Sequence, residues 1–264
     1  MKFFKINYKI EESIFINNKI NYLKIYDKDK GKFTVNNKIN PLKKYNKDIR
    51  ILNQNDIKNI DQKKIPFEWY EALMETENRI KIKKILDIWE VNVSYELRNT
   101  ISYLKDFLID VDIMQLYDEY SLLYTIHDKN SNKGPFYHEG KNPMTSKKSL
   151  ALAKCWDKMP KTLKNFYENV HNGFFGTMGL VSLEQVTYFD DDEWGIIEIL
   201  KEPLQLNLKT TFGFFKNGGS GYVAVDIENC KNDNATLWWS NDQPEYNLNF
   251  WDVVDEWIVI GLQD

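Results

Sequence analysis

Residues 159–175 read MPKTLKNFYENVHNGFF. Leu163, Phe166, Tyr167 and Val170 recur at helical spacing, which predicts a helix with one buried face. Pro160 stands near the start of that helix and Gly173 just past its end. His171-Asn172-Gly173 admits a catalytic or phosphate-binding reading. It also admits a structural one, because Asn-Gly readily supplies the left-handed residue that ends a helix. On the structural reading Asn172 and Gly173 form a corner and Phe174 and Phe175 enter the core. His171 then sits in the last helical turn, where a protonated imidazole favours the negative helix end. The structural corner is the expectation here.

Beyond Gly173 the apolar pattern drops to a period of two, which predicts strands over 179–183, 194–200, 210–216, 221–227 and 235–240. NLNFWDVVDEWIVIGL closes the chain as a helix with Asn249 as a cap. Upstream, SKKSLALAKCWDK reads as a helix, and the polar, turn-rich 128–146 reads as a loop and domain boundary. Residues 66–126 carry aromatic stripes near helical spacing and predict two or three helices, with Pro66 in a first turn and Ser94 as an N-cap. Residues 1–60 alternate apolar and polar side chains between Asp-, Gly- and Asn-bearing turns, as strands do. The expectation is an α+β protein. Residues 1–146 form an N-terminal extension or domain, and 147–264 form a sheet flanked by helices.

The 264 residues are 42% hydrophobic, enough to bury a sizeable core. No apolar run approaches the length of a membrane span or a signal peptide. Cys155 and Cys230 lie far apart without CxxC spacing, which fits reduced thiols in the cytoplasm. His127, His138 and His171 show no ligand spacing, so neither metal nor cofactor is expected. The glycines of KNGGSGYVAV (216–225) lie between two strand-like runs and predict a hairpin, not a phosphate loop. An enzyme with a site in the N-terminal half has only His127 and His138 as candidate participants. Bottom-up, the chain reads as a binder.

Charge is distributed unevenly. Residues 1–66 hold 16 Lys/Arg against 7 Asp/Glu, a net of +9, while 176–264 hold 4 against 16, a net of −12. Either the two ends neutralise each other, or the acidic part meets a basic partner. The N-terminal lysines show no aromatic interleaving of a known kind, which argues against nucleic acid. YFDDDEW (188–194) concentrates Asp190, Asp191, Asp192 and Glu193 in one turn, and WWSND places Trp238, Trp239 and Asp242 together. Aromatic anchors ringed by charge suit a tight interface, so these seven residues are the contact candidates.

Residues 159–262 resemble the SUKH superfamily, the cell-wall-assembly-regulator-like fold common among bacterial immunity proteins. The resemblance rests on MPKTLKNFYENVHNGF, MGLVSLEQVTYF, WGIIEIL, GYVAVDIEN and NFWDVVDEWI in that order. Met159 stands where the family has Leu. The resemblance implies a mixed or antiparallel sheet with flanking helices and no shared catalytic residues. It implies a cytoplasmic bacterial protein whose partner is a cognate toxin with a basic surface, for example a nuclease, masked at its active site. The alternative is a scaffold or regulatory binding module unconnected with toxins.

Overall fold

A computed structural model describes residues 42, 43, 46–127 and 135–263, and these fold as α+β with two antiparallel sheets. The first sheet has the order β1 (Arg50–Ile51), β2 (Leu108–Leu116), β3 (Glu119–Ile126) and β4 (Phe136–Lys141). Between β1 and β2 come helices α1 (Gln54–Lys58), α2 (Phe67–Leu73), α3 (Asn78–Val93) and α4 (Arg98–Phe107). Helices α5 (Leu150–Cys155) and α6 (Lys161–Asn165) follow, and α6 runs on as a π turn over Phe166–Val170. The second sheet is a meander: β5 (Thr187–Tyr188), β6 (Thr211–Lys216), β7 (Gly221–Asp226), β8 (Asn234–Trp239) and β9 (Glu245–Asn249). Helix α7 (Phe250–Gln263) ends the described chain, and Asn249 caps it by accepting from the N–H groups of Trp251 and Asp252.

Several expected elements change. Residues 108–126 form the β2–β3 hairpin, not a helix. Val111, Ile113, Leu122 and Tyr124 face the main core, while Met114 and Leu123 pack into a second cluster with Ile49 and Tyr137. A strand covered on both faces loses the alternation that marks strands in a sequence. Within the expected loop 128–146, residues 136–141 form β4, and 128–134 lie outside the described residues. Residues 54–58, expected as strand, are helical because Asn53 accepts from the N–H groups of Asn55 and Asp56 while its own N–H donates to Asp56. The strand-like runs expected over 3–41 lie outside the described residues. Ser94 ends α3 and caps no helix start. The expected strand 194–200 is a 3₁₀ turn over Gly195–Ile199, drawn out of the sheet as Trp194 tucks against Phe189 and Trp238. Residues 179–183 form no continuous strand; Leu180 makes isolated bridges to Phe174 and Phe215.

One apolar cluster runs from Leu52 to Leu262 and draws on both sheets and most helices. A polar tie crosses it. Asp255 of α7, 3% exposed, accepts from the N–H groups of Asn99 (2.9 Å) and Thr100 (2.8 Å) and from the Thr100 hydroxyl (2.7 Å). The residue before α4 offers no side-chain cap, so a carboxylate from the far end of the chain fills the orphaned N-terminus. Asp255→Ala is expected to cost about 2 kcal/mol, with Asp255→Asn losing less, measured by urea unfolding.

Candidate functional site

The His-Asn-Gly corner joins the two sheets. Asn172 N–H donates to the Lys141 carbonyl (3.0 Å), and Lys141 N–H donates to the Gly173 carbonyl (3.2 Å). On the other side, Phe174 N–H donates to the Leu180 carbonyl, Val181 N–H to Phe214 and Lys216 N–H to Gly179. The backbone ladder therefore passes from β4 through 172–175 and 179–181 to β6. The expectation that Gly173 ends the helix is corrected. The helix closes earlier, with His171 N–H on the Phe166 carbonyl, and His171 is already extended at φ −150°. Gly173, at φ +96°, serves a close approach. A Cβ there would stand 2.7 Å from the Ser182 nitrogen and 2.9 Å from the Leu180 oxygen.

His171 is 1% exposed. Its Nδ1 faces the Lys141 carbonyl at 3.1 Å, which can only accept, so Nδ1 carries the proton. Nε2 then accepts from the Tyr124 hydroxyl (2.8 Å), whose oxygen accepts from the Trp89 indole N–H (3.0 Å). Burial lowers the His171 pKa to about 3, against a small opposing effect of the Lys141 carbonyl. The imidazole is neutral, so the expected charge–dipole role at a helix end is corrected: desolvation outweighs what the dipole could return. Burial likewise pushes the Tyr124 hydroxyl far above its ordinary range. Every polar atom of this chain of rings has a partner. It is an internal brace.

The rim of the corner is polar. Asn172 accepts from Leu183 N–H and donates to Glu184, and Lys141 pairs with Glu184 at 3.3 Å. Burial works to raise the Glu184 carboxyl, but Lys141 and the surrounding donors hold it below its ordinary value. Lys141 Nζ also lies 3.2 Å from Ser182 Oγ. That pair has no nucleophile geometry, because Ser182 is buried, its hydroxyl donates to Gln185, and Lys141 is ion-paired. Lys141 and Glu184 were not singled out in the sequence, since their meeting depends on β4 lying beside 172–175.

The acidic turn is exposed along its whole length. Asp190, Asp191, Asp192 and Glu193 stand in solvent, and among the described residues none forms an ion pair. The turn is held at both ends. Phe189 and Trp194 lie 4.8 Å apart and meet Trp238 edge to face at 5.3 and 5.2 Å, and the Trp194 indole N–H donates to the Phe189 carbonyl at 2.9 Å. Trp238 is therefore fully buried beneath the turn and cannot touch a partner, which corrects its place among the contact candidates. In an alternating strand one of two adjacent tryptophans must face inward. Trp239 is half-buried against Trp257. Asp242 is exposed, and its carboxylate accepts from Gln243 N–H. Gln243 in turn accepts from Lys201 N–H, tying that turn to the far end of the 190–200 loop.

His138 is buried in β4 and stacks on Phe175 at 4.5 Å, and His127 follows β3 with its N–H on the Phe107 carbonyl. Cys155 and Cys230 are free thiols. Among the described residues no group of three His, Cys, Asp or Glu is arranged to hold a metal ion, and no helix is long and apolar enough to cross a membrane. Comparison with protein-family models, characterised proteins and solved structures gives no match to this chain.

Two outcomes are expected. Gly173→Ala should lose about 2 kcal/mol or more in urea unfolding, since positive φ and backbone contact both oppose a Cβ. The second concerns pH. Folding depresses the proton affinity of His171, so the unfolded chain binds more protons below its ordinary value of 6.5, and stability falls as pH drops. The contribution approaches about 1.4 kcal/mol per pH unit below that point. From pH 7.5 to 5.5 the stability of the wild type should therefore fall more steeply than that of His171→Gln. Parallel slopes would contradict a neutral buried imidazole.

Proposed function

We propose that the chain is an immunity protein that binds a cognate bacterial toxin with a basic surface and masks its active site. One observation carries this reading. Of the fifteen acidic residues described between 176 and 263, Glu184 alone is in an ion pair among the described residues. The rest of the described chain is itself close to neutral, with 19 Lys/Arg against 18 Asp/Glu, and so does not offset this charge. The carboxylates at 190–193 are instead displayed on a turn anchored by buried aromatics, so little ordering entropy is lost when a partner binds. Such a surface speeds association with a cation-lined cleft, for example that of a nuclease, and repels nucleic acid and anionic membranes. Trp239 and Asp242, on the strand and turn beside the same loop, extend the candidate surface, whereas Trp238 supports it from below.

The test is co-expression with the product of the adjacent gene, followed by purification of the complex and stopped-flow association. Asp190→Lys/Asp191→Lys should slow association about tenfold at low salt, flatten its salt dependence and lower protection of cells that express the toxin. Unchanged rates and salt slope would remove the acidic turn from the interface. Failure of any complex to form would remove the immunity reading itself.

A further inference from the structure

Three exposed apolar side chains from three separate elements converge on one groove of about 690 Å³: Phe67 of α2, Val91 of α3 and Met144 of the 3₁₀ turn Pro143–Thr145. They are 58%, 84% and 52% exposed. Helix α3 explains the wall of the groove. Its inner face buries Ile85, Leu86, Trp89 and Val93, and its outer face presents Lys84, Asp87, Ile88 and Val91 at helical spacing. Ile88 packs in part against the main core, but Val91 is almost wholly in solvent, so the valine there is not explained by burial.

The charges around the groove are one-sided. Glu68, Glu71, Asp87 and Glu168 line it against a single cation, Lys84. Lys84 is already committed to Glu75 at 2.5 Å, and Glu75 raises its pKa. Asp87 pairs with Lys83, and Glu168 accepts from the Trp156 indole. Glu68 and Glu71 form no ion pair among the described residues. Glu71 also acts on Lys84, and the groove thus combines apolar side chains with a net negative rim.

We infer that this groove docks a basic amphipathic helix of a partner protein, with apolar residues on one face and Lys or Arg along its flanks. Its apolar side chains Phe67, Val91 and Met144 stand half or more in solvent, whereas a small-molecule pocket hides its walls, so the occupant must be broad enough to cover them. The carboxylates oppose nucleic acid and anionic lipid. The inference is independent of the toxin reading, because it uses none of the residues of the acidic turn.

The test measures fluorescence anisotropy of the full chain with three labelled peptides of about 18 residues, roughly five helical turns. One carries Leu at i, i+3, i+4 and i+7 with Lys elsewhere, one has the same composition shuffled off that spacing, and one replaces Lys with Glu. The first should bind saturably and at least about tenfold more tightly than the other two. Val91→Lys, a substitution at an exposed position that leaves folding intact, should weaken it about tenfold. Glu68→Lys/Glu71→Lys should weaken it and lessen its salt dependence, and Asp190→Lys/Asp191→Lys should leave it unchanged. Equal binding of the shuffled peptide, or wild-type binding by Val91→Lys, would overturn the inference. So would sedimentation showing a dimer that Val91→Lys dissociates, since the groove would then belong to a second copy of the chain.

Discussion

The connection between the two sheets depends on how the imidazole of His171 is held. Its two nitrogens reach the carbonyl of Lys141 at the end of one sheet and the Tyr124 hydroxyl inside it, while the backbone that carries it bonds onward to the other sheet through Phe174. A charged ring could not do this. It would force the Tyr124 hydroxyl to turn from donor to acceptor, and it would have to be desolvated among Trp69, Trp89 and Phe174. Gly140 makes room for the ring: a Cβ at that position would fall 2.3 Å from it. The corner expected from the sequence is thus structural: the imidazole ties it to the first sheet, and its backbone carries the ladder on toward the second.

Much of the second sheet was legible. β6, β7 and β8 lie where the sequence placed them although they are buried along most of their length, because turns bearing Gly and Asn bound these apolar runs; α7 follows a helical pattern, and Asn249 caps where it was expected to. The β2–β3 hairpin was not legible, since burial on both sides erases the alternation. β4 was hidden by its own composition. Tyr137, His138, Glu139, Gly140 and Lys141 look like loop residues one at a time, and only the neighbouring corner makes a glycine and a histidine suitable there. The 194–200 segment misled in the opposite direction. Its isoleucines alternate, but Ile197 and Ile199 face solvent, and Trp194 takes the chain out of the ladder.

The candidate surface was legible as chemistry and not as geometry. That Asp190–Glu193 would be exposed follows from four adjacent carboxylates, which repel one another less in water than in any packed site. That Trp238 would hold them up from beneath does not follow from the residues alone, because the pairing of two tryptophans with two faces is decided by strand register. Once the register is set, Trp238 of β8 supplies rigidity beneath the charge that the loop after β5 displays. The mobile, solvated groups are thereby borne on an immobile base, an arrangement that fits recognition by charge and shape more than by rearrangement.

The carboxylate of Asp255 also has a bearing on how the molecule is made. The start of α4 has its orphaned amides answered only by α7, which lies more than half the chain length downstream. During synthesis, α4 and the hairpin that follows it emerge long before their cap exists. The first sheet must then wait, open at one helix end, until the last helix has left the ribosome. Such long-range closure slows folding, and it makes folding of the early elements depend on completion of the late ones. A chain released before α7 would carry a frayed α4 and exposed core, a ready substrate for proteolysis.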